Sequence, residues 1–185
     1  MNKTNFTLER IGENDFDLIE FIYKCQINES EKEKSTVWPV ISNTMKFDQE
    51  NFKKFIPNLQ KALKSRVYYV LIEEQNNNLL GFLQLSEYNS RNQSAEIGFY
   101  FPKENRRKGL GKILIKLFLD TVFNGKYFWK INKIYGETCE INEGSIKLFE
   151  SFDFHLDGVM RQHYWFGEKK INQLIFSILK EEHNK

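Results

Sequence analysis

Residues 95–118 read AEIGFYFPKENRRKGLGKILIKLF, and this stretch decides the fold. Residues 95–101 alternate two sets of side chains and are rich in aromatic residues, which predicts a strand with two distinct faces. A basic glycine loop follows at residues 106–111, with the sequence RRKGLG. Directly after it, apolar residues recur three and four positions apart as far as Val122, which predicts an amphipathic helix. The sequence therefore predicts a strand, a glycine loop and a helix N-terminus in direct succession.

The glycine loop has the features of a phosphate-binding site. The first turn of a helix carries four unpaired N–H groups and a partial positive charge, and glycines let the backbone approach a phosphate closely. Arg106, Arg107, Lys108 and Lys112 add positive charge for a polyanion. A tight turn with solvated basic residues is the alternative, but the position at a helix start favours phosphate. The Walker and GxGxxG patterns are both absent from the sequence, which leaves the shorter R-x-x-G-x-G loop.

Outward from this stretch, the sequence predicts a single mixed, mainly antiparallel α/β sheet flanked by helices. Antiparallel hairpins start and end the chain, and a strand–helix–strand crossover lies between them. The predicted order is β-α-α-β-β-β-α-β-α-β-β, with residues 28–47 as a loop. The predicted strands are 6–11, 67–72, 79–88, 95–101, 134–139, about 155–166 and 171–180. The first predicted helix runs from Asn14 or Asp15 to about Gln26, and the second from Asp48 to about Lys64. The third covers 110–122, and the fourth starts at Asn142.

Composition narrows the class of protein. A chain of 185 residues that is 41% hydrophobic fits one domain, 1–185, with a substantial core. Its 27 Lys+Arg against 25 Asp+Glu give a net charge of +2, so we expect no nucleic-acid partner. Cys25 and Cys139 form no disulfide framework or metal motif, and we expect a reducing, cytoplasmic compartment. We also expect no metal and no membrane, because His and Cys lack ligand spacing and the most apolar stretch, 113–123, is short and charged.

The loop and a later segment together resemble the GCN5-related N-acetyltransferase (GNAT) family. Residues 142–154, NEGSIKLFESFDF, match the family pattern N-x-x-S-x-x-[LV]-Y-E-x-x-G-F. In that family the loop R/Q-x-x-G-x-G/A binds the pyrophosphate of acetyl-coenzyme A through backbone amides, and the preceding strand binds the pantetheine arm. The resemblance covers nearly the whole chain and implies the GNAT acyltransferase fold. It points most to the branch that acetylates ribosomal-protein N-termini, and next to the spermidine acetyltransferases.

The resemblance also implies which residues bind the cosubstrate acetyl-CoA. They come from the strand, the glycine loop and the helix that starts at Asn142. For Asn142 a helix N-cap alone is an alternative, and for Ser145 and Phe149 simple packing is one. The implied residues are Ile97, Gly98, Phe99, Arg106, Arg107, Lys108, Gly109, Leu110, Gly111, Lys112, Asn142, Ser145 and Phe149.

Three residues depart from the family pattern. Phe149 stands where many relatives have a Tyr that protonates the departing thiolate, so the general acid is left open. Asp153 replaces a Gly, and Asn172 replaces the usual Asp of the final hairpin. A free thiol has a pKa of about 8.5, so a thiolate can depart near neutral pH without full protonation. The candidates for an acid are Tyr135, Cys139, His163 and Tyr164.

Glu96 is the candidate general base. Direct attack of an amine on the thioester requires the amine to lose a proton. Glu96 shares a strand face with Gly98 and Tyr100, beside the implied pantetheine contact. A solvated carboxylate, an ion pair, or a base that acts through water are the alternatives. A backbone N–H near Gly98 or Phe99 would stabilise the oxyanion.

We therefore expect an acetyl-CoA-dependent N-acetyltransferase, monomeric or homodimeric, with catalytic candidates Glu96, Tyr135 and Tyr164. The expected acceptor is a protein N-terminal amine, and a polyamine or other small amine is the alternative. An acyl-CoA-binding regulatory module with an idle active site is a second alternative, and a nucleotide-binding protein a weaker third. Candidates for acceptor contacts are Trp38 and Trp165, with packing as the alternative, and Glu29, Glu31 and Glu33, with a solvated loop as the alternative.

Overall fold

The computed structural model describes residues 5–27, 49–124, 129–166 and 168–183, so the predicted loop 28–47 and the predicted cap Asp48 lie outside it. The strands are β1 (Phe6–Arg10), β2 (Val67–Glu73), β3 (Asn78–Asn89), β4 (Ser94–Tyr100), β5 (Lys133–Cys139), β6 (His155–Phe166) and β7 (Lys169–Leu179). The helices are α1 (Phe16–Ile27), α2 (Gln49–Ala62), α3 (Leu110–Leu119), α4 (Glu143–Glu150) and α5 (Lys180–His183). Within these ranges no helix has both the length and the apolar character needed to cross a membrane. The predicted order of strands and helices is confirmed, with α5 and a short 3-10 helix, Lys103–Asn105, in addition.

All seven strands belong to one sheet, in the order β1-β2-β3-β4-β5-β7-β6. Every neighbouring pair is antiparallel except β4 and β5, which run parallel. The mixed, mainly antiparallel sheet predicted from the sequence is therefore confirmed. The parallel pair joins the two hairpin-built halves of the sheet, and it is where the predicted crossover lies.

The parallel pair is short. Strands β4 and β5 are seven residues long, but only Ser94, Ala95 and Glu96 of β4 pair with β5. The last rung joins Glu96 to Tyr135. Beyond it the two strands diverge, and residues 97–100 and 136–139 carry no β4–β5 pair. We call this opening the β4–β5 gap.

A different apolar layer covers each face of the sheet. On one face, Ala95 and Ile97 of β4 pack in a core cluster with Leu114 and Phe118 of α3, which are fully buried. On the other face, Tyr100 packs in a cluster with residues of α1 and α2. This arrangement confirms the two faces predicted for β4.

Helix α3 ends earlier than its apolar pattern predicts. The predicted helix continued to Val122, but a π-helical turn, Asp120–Asn124, follows α3. The Thr121 hydroxyl donates to the carbonyl oxygen of Leu117 at 2.7 Å and so competes for a backbone acceptor of the helix. Val122 and Phe123 are still buried, because the wider turn keeps both side chains on the core side.

Cys25 and Cys139 are both buried, and neither forms a disulfide. Burial is the main cause that raises the pKa of each thiol, to about 12 for Cys25. Both groups are therefore neutral thiols at physiological pH.

Candidate active site

The glycine loop wraps around the N-terminus of α3, and its two glycines have different structural roles. Gly109 has φ +78° at the N-cap position of α3. A Cβ at Gly109 would meet no other atom within 4 Å, so the loop opens onto free space there. A Cβ at Gly111 would lie 3.0 Å from Cδ2 of Leu148, so this glycine lets α3 pack closely against α4. Gly109 therefore shapes an open cradle at the helix N-terminus, as a phosphate site requires.

The four basic residues of the loop region do not act alike. Arg106 is half-buried: its Nε donates to the carbonyl oxygen of Phe101 at 2.8 Å, and its guanidinium lies 5.4 Å from the Tyr100 ring centroid. Burial lowers the pKa of Arg106 from its ordinary value. The side chain thus ties the loop to the end of β4. The exposed basic side chains beside the cradle are Arg107, Lys108 and Lys112.

The β4–β5 gap and two helix N-termini lie at the same edge of the sheet. Helix α3 follows β4 and helix α4 follows β5, and the carboxyl ends of parallel strands share an edge. Asn142 caps α4, because its Oδ1 accepts a hydrogen bond from the Ser145 N–H at 3.2 Å. The backbone of Ile97, Gly98 and Phe99 has no strand partner on the gap side. An extended ligand with amide groups can therefore bond to this free strand edge.

The Phe149 side chain packs against one side of the β4–β5 gap, which we call the floor of the gap. Its side chain is 2% exposed, stacks on Phe176 at 5.3 Å and meets Phe99 edge to face at 5.7 Å. Its ring tip, Cζ, would lie 2.6 Å from a Cβ placed on Gly136. Phe149 is thus a core residue whose tip reaches the point where β5 leaves β4, and only a glycine at position 136 leaves room for it. Gly136 was not identified from the sequence, although a glycine inside a strand often marks such a close approach.

Glu96 and Tyr135 face each other on the last rung of the parallel pair. Burial, followed by the carboxylates of Glu137 and Glu87, raises the pKa of Glu96, while Arg66 opposes the shift. Burial and then Glu96, Glu137 and Glu87 raise the pKa of Tyr135. The site therefore pairs a carboxylate that holds protons more strongly than usual with a phenol that stays protonated near neutral pH.

Tyr164 of β6 belongs to the same electrostatic neighbourhood. Burial raises its pKa first, and Glu137, Cys139 and Glu96 add to the shift. The structure thus brings together all three catalytic candidates, Glu96, Tyr135 and Tyr164. His163 is exposed and contacts the Tyr164 ring edge to face, with centroids 4.9 Å apart.

Two carboxylates and an amide near these residues were not identified from the sequence. Glu137 lies two residues after Tyr135 on β5, so both side chains point to the same face. Glu87 follows Ser86, the residue of β3 that pairs with Glu96. The amide Nε2 of the buried Gln173, on β7, donates a hydrogen bond to Glu137. The two-residue spacing of Glu137 from Tyr135 within a predicted strand was a signal for Glu137, whereas its partnership with Gln173 follows from strand register.

The other two departures from the family pattern have local explanations. Asp153 has φ +57°, a left-handed conformation that glycine adopts more easily. Asn172 donates from its backbone N–H and its Nδ2 to the two carboxylate oxygens of Glu140, and its Oδ1 accepts from the Gln162 N–H. An Asp at position 172 would put a second carboxylate against Glu140. In the described ranges, no three His, Cys, Asp or Glu side chains are grouped to hold a metal ion.

Two curated proteins match part of the sequence. The uncharacterized N-acetyltransferase p20 of Bacillus licheniformis is 24% identical over 115 residues, which are 62% of this chain and 63% of that protein. The spermidine N(1)-acetyltransferase of Vibrio cholerae is 27% identical over 95 residues, which are 51% of this chain and 53% of that protein. The matched stretches thus span only about half to two thirds of these relatives. Neither relative is an enzyme of the ribosomal-protein N-terminal branch by name.

Solved structures and a family model match over most of the chain. The crystal structure of spermidine N-acetyltransferase from Vibrio cholerae in complex with CoA and spermine has a TM-score of 0.77 at 20% identity, covering 97% of this chain and 98% of that one. A dodecameric structure of the same enzyme in an intermediate state has a TM-score of 0.72 at 20% identity, covering 96% and 95%. These likenesses show the fold. Residues 8–175 match the acetyltransferase (GNAT) domain model, and because this match takes in most of the sequence, the chain belongs to the GNAT acetyltransferase family.

Proposed function

We propose that this chain is one acetyltransferase domain, 1–185, that transfers the acetyl group of acetyl-CoA to a primary amine of a polyamine. The observation that carries the acceptor class is the set of three carboxylates, Glu87, Glu96 and Glu137, near the last β4–β5 rung. A protein N-terminal amine, the acceptor expected from the sequence, brings one positive charge. A polyamine brings several, which match the carboxylates better. The similarity to a spermidine acetyltransferase supports the same choice.

The residues around the gap fit acetyl-CoA in three places. The open cradle at Gly109 and the N-terminus of α3 suit the pyrophosphate, with Arg107, Lys108 and Lys112 beside it. The free edge of β4 suits the two amides of the pantetheine arm. Asn142 and Ser145 stand at the N-terminus of α4, on the other side of the gap.

The chemistry on the acceptor side follows from the protonation of three residues. Acetyl-CoA supplies an acetyl group activated as a thioester. Glu96 accepts the proton of the acceptor's ammonium group, and its raised pKa makes it a stronger base than an ordinary carboxylate. The amine nitrogen then bonds to the carbonyl carbon, the carbon–sulfur bond breaks, and the nitrogen loses a second proton to water as the neutral amide forms. Tyr135 and Tyr164, both protonated near neutral pH, are the groups that can give a proton to the departing sulfur.

Phe149 favours a second candidate, an acyl-CoA-binding module with an idle active site. The ring whose tip reaches the gap has no hydroxyl, so it offers no proton at the place where it points. In an acyl-CoA-binding module of this kind, the gap binds acetyl-CoA and no acceptor amine is acetylated.

The test is release of coenzyme A from acetyl-CoA in the presence of two sets of acceptors. One set is spermidine and spermine, and the other is short peptides with free Ala, Ser or Met N-termini. We expect kcat/KM for the polyamines to exceed that for the peptides by about tenfold or more. Activity confined to the peptides would favour an N-terminal acetyltransferase instead. No activity on either set, with acetyl-CoA binding intact by calorimetry, would favour the idle module.

A further inference from the structure

Gln173 has a buried side-chain amide whose nitrogen is hydrogen-bonded and whose oxygen is not. It lies on β7, where it pairs with Cys139 of β5, and its side chain is 3% exposed. Its Nε2 donates a hydrogen bond to the carboxylate of Glu137. Its Oε1 is buried and accepts no hydrogen bond from any residue in the described part of the chain. A buried carbonyl oxygen without a donor is costly, and native proteins rarely leave one unsatisfied.

Rotation of the amide does not remove the problem. With oxygen and nitrogen exchanged, Oε1 would face the Glu137 carboxylate, and two acceptors would repel each other. The hydrogen bond to Glu137 therefore fixes the orientation in which Oε1 lacks a donor. A group that satisfies both acceptors needs several N–H donors and a positive charge, and it must displace the atoms that cover Oε1 to reach it.

The surroundings of Glu137 carry net negative charge. Burial raises the pKa of Glu96, and the carboxylates of Glu137 and Glu87 add to that shift. Burial also raises the pKa of Tyr135, and Glu96, Glu137 and Glu87 add to it. Lys133, on the same strand, is engaged 2.5 Å from the Asp157 carboxylate on the far side of Tyr135. Arg66 is the cation that acts on Glu96.

The spacing along β5 separates this amide–carboxylate pair from the reacting centre. Glu137 is two residues beyond Tyr135, which pairs with Glu96, so it lies about 7 Å farther along the strand. That distance is within the reach of a short diamine. One ammonium group can then face Glu96 while another meets Glu137.

We propose that Glu137 and Gln173 form a second ammonium subsite, which holds the non-reacting amine of the acceptor while the reacting amine faces Glu96. This inference rests on the proposed acetyl transfer to a polyamine and names the residues that select it. Glu137 supplies the charge, and Gln173 Oε1 accepts an N–H from the same ammonium group once the atoms that cover this oxygen have moved aside. The subsite favours a diamine over a monoamine of equal length.

The test compares putrescine with butylamine, which lacks the second amine, in the full-length protein. We expect the wild type to prefer putrescine by at least about tenfold in kcat/KM. Glu137→Gln and Gln173→Met should each lower that preference by about tenfold, mainly through KM. Glu150→Gln, on an exposed face of α4, is the matched control and should keep the wild-type preference. Thermal melts show whether each variant is folded.

The outcomes separate this inference from the proposed function. If the wild type acetylates both amines without preference, or if both variants keep the preference, the subsite is overturned. If no amine is acetylated, calorimetric binding of putrescine decides: binding about tenfold weaker in Glu137→Gln than in Glu150→Gln supports the subsite, and equal binding overturns it. Absence of acetylation by itself counts against the proposed function.

Discussion

Ionisation of Glu96 lowers the stability of the folded state. Burial and the carboxylates of Glu137 and Glu87 raise its pKa, which means that the folded state disfavours the ionised form. Stability is then greatest when Glu96 is protonated, and it falls as pH rises from the ordinary glutamate pKa through the raised one. Active sites often keep such unfavourable charges because the chemistry needs them.

Glu96→Gln should therefore separate activity from stability. We expect kcat/KM to fall by about 100-fold near neutral pH, and by less at high pH where the acceptor amine is already deprotonated. The same variant should melt a few degrees higher than the wild type at neutral pH, and this gain should shrink below the ordinary glutamate pKa. Activity assays across pH and melts at acidic and neutral pH check both effects, with Glu150→Gln as control. A loss of activity that is constant across pH would remove Glu96 as the base.

Asp153 occupies a position that a glycine would fill with less strain. The N–H of Phe154 bonds to the carbonyl of Phe149 and the N–H of Asp153 to that of Glu150, which is the Schellman pattern at the end of α4. Asp153, at φ +57°, is the left-handed residue of that motif. The rings of Phe149 and Phe154 pack at 5.1 Å and complete it. The end of α4 therefore helps to position Phe149 at the floor of the gap.

Two substitutions at Asp153 test this backbone requirement. Asp153→Gly removes the Cβ and should leave the free energy of unfolding equal to or slightly above that of the wild type. Asp153→Ala keeps the Cβ without the local hydrogen bonding of Asp, and should be less stable than the glycine variant by about 1 kcal/mol. Urea unfolding of the three proteins measures the difference. Equal stability of the Ala and Gly variants would show that the left-handed conformation is not enforced.

The glycine loop and the N-terminus of α3 form one structural unit, because α3 begins directly after the loop. Gly109 combines a left-handed backbone with open space in front of the helix N-terminus, whereas Gly111 is restricted by Leu148. A carboxylate at position 111 would thus disturb packing as well as charge. Position 109 allows a cleaner experiment, since Asn and Asp both tolerate a left-handed backbone.

Gly109→Asp should weaken acetyl-CoA binding much more than Gly109→Asn. The two side chains have nearly the same shape, but only Asp puts a negative charge where the pyrophosphate is proposed to bind. We expect the affinity of the Asp variant to be about tenfold or more below that of the Asn variant at low salt, with a smaller difference at high salt. Isothermal titration calorimetry with acetyl-CoA measures both. Similar affinities for the two variants would contradict a phosphate site at this loop.

Patterns of neighbouring residues predicted the strands and helices well, but contacts between strands that are distant in sequence could not be predicted. The alternation in β4 and the helical period of α3 are properties of consecutive residues, so both faces and the order of elements could be read from the sequence. The π-helical turn after α3 was missed because it depends on Thr121 competing for a carbonyl. The pair formed by Glu137 and Gln173 was missed because it requires the register of β5 against β7. Since no short turn connects β5 to β7, spacing along the chain does not give their register.

The whole molecule separates its charges across the β4–β5 gap. Its net charge is only +2, yet exposed basic residues gather beside the glycine loop and carboxylates gather near the last β4–β5 rung. A polyanion and a polycation would thus approach the same gap from different sides. The gap also means that only three rungs join the two halves of the sheet directly. The strands next to those rungs must therefore be held firmly by other contacts.

Asp157 of β6 provides such a contact where the halves meet. Its carboxylate lies 2.5 Å from Lys133 Nζ, on β5, and accepts a hydrogen bond from Ser177 Oγ, on β7, at 2.7 Å. The bond to Lys133 is the main cause that lowers the pKa of Asp157, with Ser177 adding to it and burial opposing. A carboxyl with a lowered pKa stabilises the fold above its ordinary pKa, and this contribution is lost as pH falls through the lowered value.

Asp157→Asn should therefore reduce stability at neutral pH and not in acid. Because both partners are partly exposed, we expect a loss of about 1 kcal/mol near pH 7, shrinking to nearly nothing once the pH is well below the ordinary aspartate pKa of about 3.9. Urea unfolding across this pH range measures it, and Lys133→Gln with the double variant completes a cycle. The double variant should lose little more than either single one, because the residues act as a pair. Losses that simply add, or a deficit that persists in acid, would mean that this contact does not hold β5, β6 and β7 together.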